Sequence, residues 1–215
     1  MATAIKEQME RIYREVAASD IPWNNEEVPE LLVHAVTARS PRPRRVIELG
    51  CGTGNNLIGL ARMGFDVTGV DIAENAIAIA GETARKAGVA CRFVAADVLG
   101  TLAALTATYD FAYDWELLHH IFPEDRETYV RNVHRLLSRG GAYLSVCFSE
   151  DDPQFGGAGK YRTTSIGTEL YFSSEAEIRS LLAQLLAVDE VKTIDLRAKR
   201  GSHRAICAQA TKRSG

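Results

Sequence analysis

The chain has 215 residues, 46% hydrophobic and 25% charged, with a formal net charge of -3. That length suits one domain burying roughly 70% of the surface its unfolded form exposes, and that balance excludes a disordered chain. The lack of a basic excess argues against a nucleic-acid partner, since phosphates are neutralised by clustered Lys and Arg.

In chain order, Ile5, Met9, Ile12, Tyr13 and Val16 recur at helical spacing and predict an amphipathic helix. The same stretch is studded with charges, so neither a signal peptide nor a membrane span is expected in it. Arg39, Arg42, Arg44 and Arg45, stiffened by Pro41 and Pro43, read as a solvated lead into a strand. From there strand-like and helix-like segments alternate. Strands are predicted over 45–49, 67–71, 91–95, 109–114, 142–148, 188–197 and 204–210, and helices over 57–63, 74–86, 124–137 and 175–186. Short strands separated by such helices imply right-handed crossovers and a mostly parallel sheet covered on both faces. The last two strands are joined by AKRGSH, too short for a crossover, and should pair antiparallel. Two regions stand outside the alternation, residues 1–43 and 149–174. The second carries glycines at 156, 157, 159 and 167, and its length suits a functional lid. The expectation is a single domain over 1–215 with a helical lid at 1–43 and an insertion lid at 149–174.

Cys51, Cys91, Cys147 and Cys207 lie far apart with no CxxC pair, so no metal is expected, and reduced thiols in a cytoplasmic protein are. The stretch VIELGCGTGNN, residues 46–56, places Gly50, Gly52 and Gly54 between the first strand and its helix, where a doubly wound sheet binds nucleotides. Asn55 and Leu57 stand where GxGxxG needs its last glycine, which argues against nicotinamide or flavin. Some twenty residues on, Asp71 ends the second strand, suited to both hydroxyls of a ribose. Asp97 follows the third strand, suited to the exocyclic amine of an adenine, with Val98 and Leu99 against the ring. Each has a plainer reading: turn glycines, a helix cap at Asp71, a loop residue at Asp97. Their joint occurrence after successive strands favours an adenosine without a phosphate tail.

With VTGVDIAENAI, VAADV, YDFAYDWELLHHI and HRLLSRGGAYLSV following in order, residues 44–148 resemble the class I S-adenosylmethionine-dependent methyltransferases. The resemblance implies an α/β, Rossmann-like doubly wound sheet of seven strands in the order 3-2-1-4-5-7-6, with the seventh antiparallel. It implies S-adenosyl-L-methionine as cofactor, S-adenosyl-L-homocysteine as product, and Glu48 facing the methionine end. Trp23, Glu48, Gly50, Cys51, Gly52, Gly54, Asn55, Asp71, Ile72, Asp97, Val98, Asp114 and Trp115 are the cofactor-binding candidates.

The acceptor is expected beyond the fourth strand, near Asp114, Trp115, Glu116, His119 and His120. DNA-amine methyltransferases carry Asn/Asp-Pro-Pro-aromatic there, whereas this chain has DWEL. His119, His120 and Asp114 are candidate catalytic residues, although a histidine in LHHI also serves to pack. IPWNNEEVPELL resembles the lid of thiopurine and small-thiol methyltransferases, with Asn24 in place of their acid. Tyr13, Tyr161, Arg162 and His203 are candidates for substrate contact. The reading is a monomeric or homodimeric methyltransferase of a small molecule, leaning to a thiol, since a thiolate needs little help from a base. The alternatives are an oxygen or nitrogen acceptor with a histidine base, or a non-catalytic S-adenosylmethionine-binding module.

Overall fold

The run RVIEL is buried at four of its five positions and forms β1 (Arg45–Leu49) in the interior of a seven-stranded sheet. The computed structural model describes residues 2–17, 20–25, 27–155, 159–164, 166–197 and 201–214. Around β1, the strands β2 (Asp66–Asp71), β3 (Arg92–Ala95), β4 (Tyr109–Trp115) and β5 (Leu137–Phe148) pair in parallel. A separate antiparallel ribbon of β6 (Tyr161–Thr163) and β7 (Glu169–Tyr171) follows. The main sheet ends with β8 (Ala187–Arg197) and β9 (Ser202–Thr211), in the order β3-β2-β1-β4-β5-β9-β8, with β9 antiparallel to both neighbours. Once the ribbon is set aside, this is the expected 3-2-1-4-5-7-6 order.

Among the described residues, six α-helices accompany these strands: α1 (Ala2–Glu15), α2 (Glu30–Thr37), α3 (Asn55–Arg62), α4 (Glu74–Ala87), α5 (Pro123–Leu136) and α6 (Glu175–Ala183). Their starts follow local chemistry. Pro123 opens α5 with Glu124 and Asp125 in its first turn, and Ser174 and Glu177 form a reciprocal capping box at α6. The cap residue of α4, Ala73, has no side chain able to cap it. Glu10 of α1 does so instead, its carboxylate accepting from the backbone N–H groups of Glu74 (2.6 Å) and Asn75 (3.1 Å).

Parallel strands buried on both faces send alternate side chains to two cores. Ile47, Leu49, Val70, Tyr129, Val133 and Ile178 fill one, and Val46, Leu57, Leu60, Phe111 and Leu144 fill the other. Leu32, Ala35 and Val36 of α2 belong to the second core, so α2 covers the sheet rather than lying outside it with the rest of 1–43. Gly156, Gly157 and residues 198–200 of the expected insertion and hairpin lie outside the described residues. Among the described residues, no helix is long and apolar enough to cross a membrane.

Candidate active site

A cavity of about 640 Å³ opens at the carboxyl ends of the central strands, where the doubly wound topology leaves a crevice. Apolar side chains of α1, with Trp23, Asn24 and Asn25, cover one side, and Thr164, Thr168 and Leu170 of the ribbon cover the other.

Gly50, Gly52 and Gly54 all take left-handed backbone conformations, with φ of 73°, 51° and 76°. A Cβ at Gly52 would stand 3.0 Å from Tyr13 Oη, and one at Gly50 would lie 2.7 Å from Leu117 Cδ1. Both residues line the cavity, whereas Gly54 does not. A Cβ at Gly54 would strike Phe93 at 2.7 Å and Ala80 at 3.0 Å, so this glycine is needed for packing α3 against β3 and α4 rather than for contact with a ligand.

The turn and the acid after β2 hold one another. Asp71 Oδ2 accepts from the Gly52 N–H at 2.8 Å and Oδ1 from the Ala73 N–H at 2.9 Å, leaving each oxygen a further lone pair. Burial raises the Asp71 pKa, and these backbone donors counter it. Asp97 Oδ1 accepts from the Leu99 N–H at 2.8 Å, and Asp97, Val98 and Leu99 together face the cavity. Glu48 is 2% exposed. Its Oε1 accepts from Asn56 Nδ2 at 3.0 Å, while Oε2 is buried without a hydrogen-bond partner among the described residues. Burial pushes this carboxyl up to about 8. A ligand ammonium brought to this carboxyl would favour its ionised form. A ribose, an amine and an ammonium would each have a carboxylate available along this lining, so the residues present fit S-adenosylmethionine.

Cys51, Asn55, Ile72 and Trp115 complete that side. Tyr13 Oη accepts from Trp23 Nε1 at 3.0 Å, the two rings meeting edge-on. Asn24 Oδ1 accepts from Thr53 Oγ1 and from Asn55 Nδ2, tying the front segment to the glycine turn. The amide therefore still accepts where related lids carry an acid.

On the opposite side His119 and His120 line the cavity. His119 Nδ1 accepts from the Phe148 N–H at 3.4 Å. Burial, reinforced by His120 and Arg126, lowers its pKa well below the usual imidazole range, and burial brings His120 down to about 4. Both rings are neutral near pH 7, and His119 offers an N–H rather than a lone pair. Glu116 also lines the cavity, in a left-handed conformation (φ 63°) that a non-glycine residue adopts at a cost. Burial pushes its carboxyl up to about 7. His203 lines the same side, its Nδ1 3.0 Å from Asp152 Oδ2.

Besides Gly54, three of the expected residues are placed elsewhere. Asp114 is fully buried beneath the cavity and accepts from Tyr129 Oη (2.9 Å), Ser145 Oγ (3.1 Å) and Tyr143 Oη. It is committed to that knot and, contrary to expectation, reaches neither cofactor nor acceptor. Arg162 is 5% exposed and donates to the carbonyls of Glu150 (2.7 Å), Gln154 (3.1 Å), Gly159 (3.0 Å) and Asp152. It laces the insertion together instead of facing a substrate. Tyr161 is 54% exposed, stacked on Phe122 away from the cavity. Conversely, Phe148, Asp152 and Phe155 were missed. Phe148 had a signal, since it ends a strand at the carboxyl edge, while Asp152 had none.

A family described as "Methyltransferase domain" matches residues 46–141. Thiocyanate methyltransferase 1 of Arabidopsis thaliana is 29% identical over 133 residues, 61% of this chain and 58% of that protein. Ubiquinone biosynthesis O-methyltransferase of Bordetella avium is 34% identical over 104 residues, 48% of this chain and 42% of that protein. The chain thus spans about half the length of these curated relatives. Among solved structures, 1,6-didemethyltoxoflavin-N1-methyltransferase of Burkholderia thailandensis superposes with a TM-score of 0.76 at 24% identity, covering 99% of this chain and 88% of that one, a likeness of fold. The glycine turn, the strand order and the domain matched over residues 46–141 agree with one another, and the chain is similar in sequence and fold to the class I S-adenosylmethionine-dependent methyltransferases.

Proposed function

We propose that this protein transfers the methyl group of S-adenosylmethionine to a small-molecule acceptor. The observation that carries the reading is the set of three carboxylates, Glu48, Asp71 and Asp97, lining one cavity around Gly52. In this reading Asp71 holds the ribose hydroxyls, Asp97 the adenine amine and Glu48 the amino group of the methionine end. Tyr13, Trp23, Ile72 and Trp115 exclude water. When bound, the cofactor supplies an electrophilic methyl group. The chain contributes alignment of the acceptor and a dry site, which account for much of the acceleration of such a displacement.

α1 and the Trp23 segment form a lid over the cofactor side, and the ribbon one over the acceptor side, within a single domain. The four cysteines are unpaired, which supports a reducing, cytoplasmic setting. A monomer or homodimer acting without nucleic acid accords with the enclosed cavity and the net charge of -3. A sulfur acceptor finds support in the thiocyanate methyltransferase likeness. The pairing of His203 with Asp152 supports instead an acceptor that must lose a proton. Titration calorimetry with S-adenosylhomocysteine tests the reading: saturable one-to-one binding is expected, and no binding at millimolar ligand would refute it.

A further inference from the structure

Aromatic rings wall the side of the cavity away from the glycine turn. Phe148 stacks on His119 with centroids 4.2 Å apart and planes 3° from parallel. Phe155 lies 5.4 Å from His203 and 9° from parallel, and Phe148 is 4.5 Å from His203. All four residues line the cavity. Such a wall suits a flat π-system, which can pack against its ring faces and edges.

Within that wall His203 is the one imidazole held by a carboxylate among the described residues. Asp152 has a fully buried side chain. Its Oδ1 accepts from the Gln154 N–H (2.7 Å), and its Oδ2 from the Arg204 N–H (2.7 Å) as well as facing His203. An ionised carboxylate only accepts, so the proton between Asp152 and His203 sits on Nδ1. The opposite nitrogen, Nε2, then keeps the ring's lone pair and has no partner among the described residues. His119 is the reverse case, with its Nδ1 taken by the Phe148 N–H. Arg162 steadies Asp152 by holding its backbone carbonyl.

We propose that His203 is the general base of this site, oriented by Asp152, and that the acceptor is a flat aromatic molecule carrying a weakly acidic O–H or ring N–H. The inference rests on the methyl-transfer reading above. In the step, the acceptor's O–H or N–H bond breaks, its electron pair stays on the heteroatom, and the proton forms a new bond to His203 Nε2. The imidazolium keeps its Nδ1–H on Asp152, which remains ionised, and releases the extra proton to water when the product leaves. Asp152 is a positioning residue, since it acts through the ring.

The test uses the whole chain saturated with S-adenosylhomocysteine and 4-nitrophenol as a chromophoric probe, at a pH one unit below the probe's solution pKa. The wild type is expected to show the phenolate band for bound probe. His203→Gln should show the neutral band, and Asp152→Asn should shift toward it, while both variants keep their affinity for S-adenosylhomocysteine. With S-adenosylmethionine and phenols graded in acidity, His203→Gln should lose roughly 10²- to 10⁴-fold in turnover on the least acidic phenol and far less on one already ionised. The same band in wild type and His203→Gln, or a deficit independent of acidity, would overturn the base assignment. A wild type that binds S-adenosylhomocysteine but neither binds 4-nitrophenol nor methylates any phenol or N-heterocycle would overturn the acceptor class and leave methyl transfer standing. Failure to bind S-adenosylhomocysteine at all would remove both.

Discussion

Replacing Asp71 by Asn separates the bracing of the glycine turn from the ribose contact proposed for the same carboxylate. Its oxygens accept the Gly52 N–H at 2.8 Å and the Ala73 N–H at 2.9 Å. The isosteric amide keeps one accepting oxygen and turns an NH₂ toward the other backbone donor, leaving a buried N–H unpaired. That loss costs about 1–3 kcal/mol, or roughly 2–12 °C in Tm for a chain of this size. Ligand binding adds a second loss. A hydrogen bond from a ribose hydroxyl to an ionised acceptor contributes about 1.5–3 kcal/mol, so the loss of even one weakens binding roughly 10- to 150-fold. Thermal melts of the free protein read the first effect and calorimetric titration with S-adenosylhomocysteine reads the second. A variant that melts lower yet keeps Kd within about threefold of wild type would refute the ribose assignment, because the carboxylate would then only brace the turn.

Gly54→Ala should destabilise the fold by about 2–4 kcal/mol in urea unfolding, combining left-handed strain with a Cβ 2.7 Å from Phe93. Gly64→Ala, equally left-handed but with nothing within 4 Å, should cost only about 1–2 kcal/mol. Arg162→Ala should speed proteolysis between residues 150 and 162 by at least tenfold and leave the Kd for S-adenosylhomocysteine within about twofold, as the guanidinium braces the insertion without facing the cavity. The ligand-free protein should lose stability as pH rises. Glu48 titrates at about 8 when folded against 4.5 when exposed, so its contribution is complete below 4.5 and is lost as pH rises through about 8. Glu48→Gln should flatten that slope between pH 5 and 8, by at most about 1.4 kcal/mol per pH unit, in urea titrations at several pH values.

The strand order was legible through the family resemblance, and the convergence of Asp71 and Asp97 with the glycine turn on one cavity because topology delivers it. Parallel strands joined by right-handed crossovers bring their carboxyl ends to one edge, so residues just past β1, β2 and β3 converge whatever lies between. Legibility failed where a side chain's direction mattered more than its place in the chain. Asp114 and Trp115 are adjacent, yet strand alternation sends Trp115 to the cavity and Asp114 down to Tyr129 and Tyr143. Arg162 satisfies itself on backbone carbonyls, partners that every residue carries and no pattern marks. The pairing of Asp152 with His203 spans 51 positions across an irregular stretch, and neither residue type announces the other. The ribbon strands have three residues each, too few for a period to register.

The three successive N–H groups of Ala73, Glu74 and Asn75 are shared between a neighbouring and a distant acid, Asp71 taking the first and Glu10 the next two. Trimming away the first sixteen residues would therefore do more than unroof the cavity. It would strip the start of α4 of its borrowed acceptors, and fraying there would propagate one residue back to the very donor that keeps the nucleoside-side carboxylate aimed. Roof and floor are in this sense one mechanical unit, and a shortened chain is expected to bind S-adenosylhomocysteine more weakly through a misaimed Asp71 as well as through the lost cover.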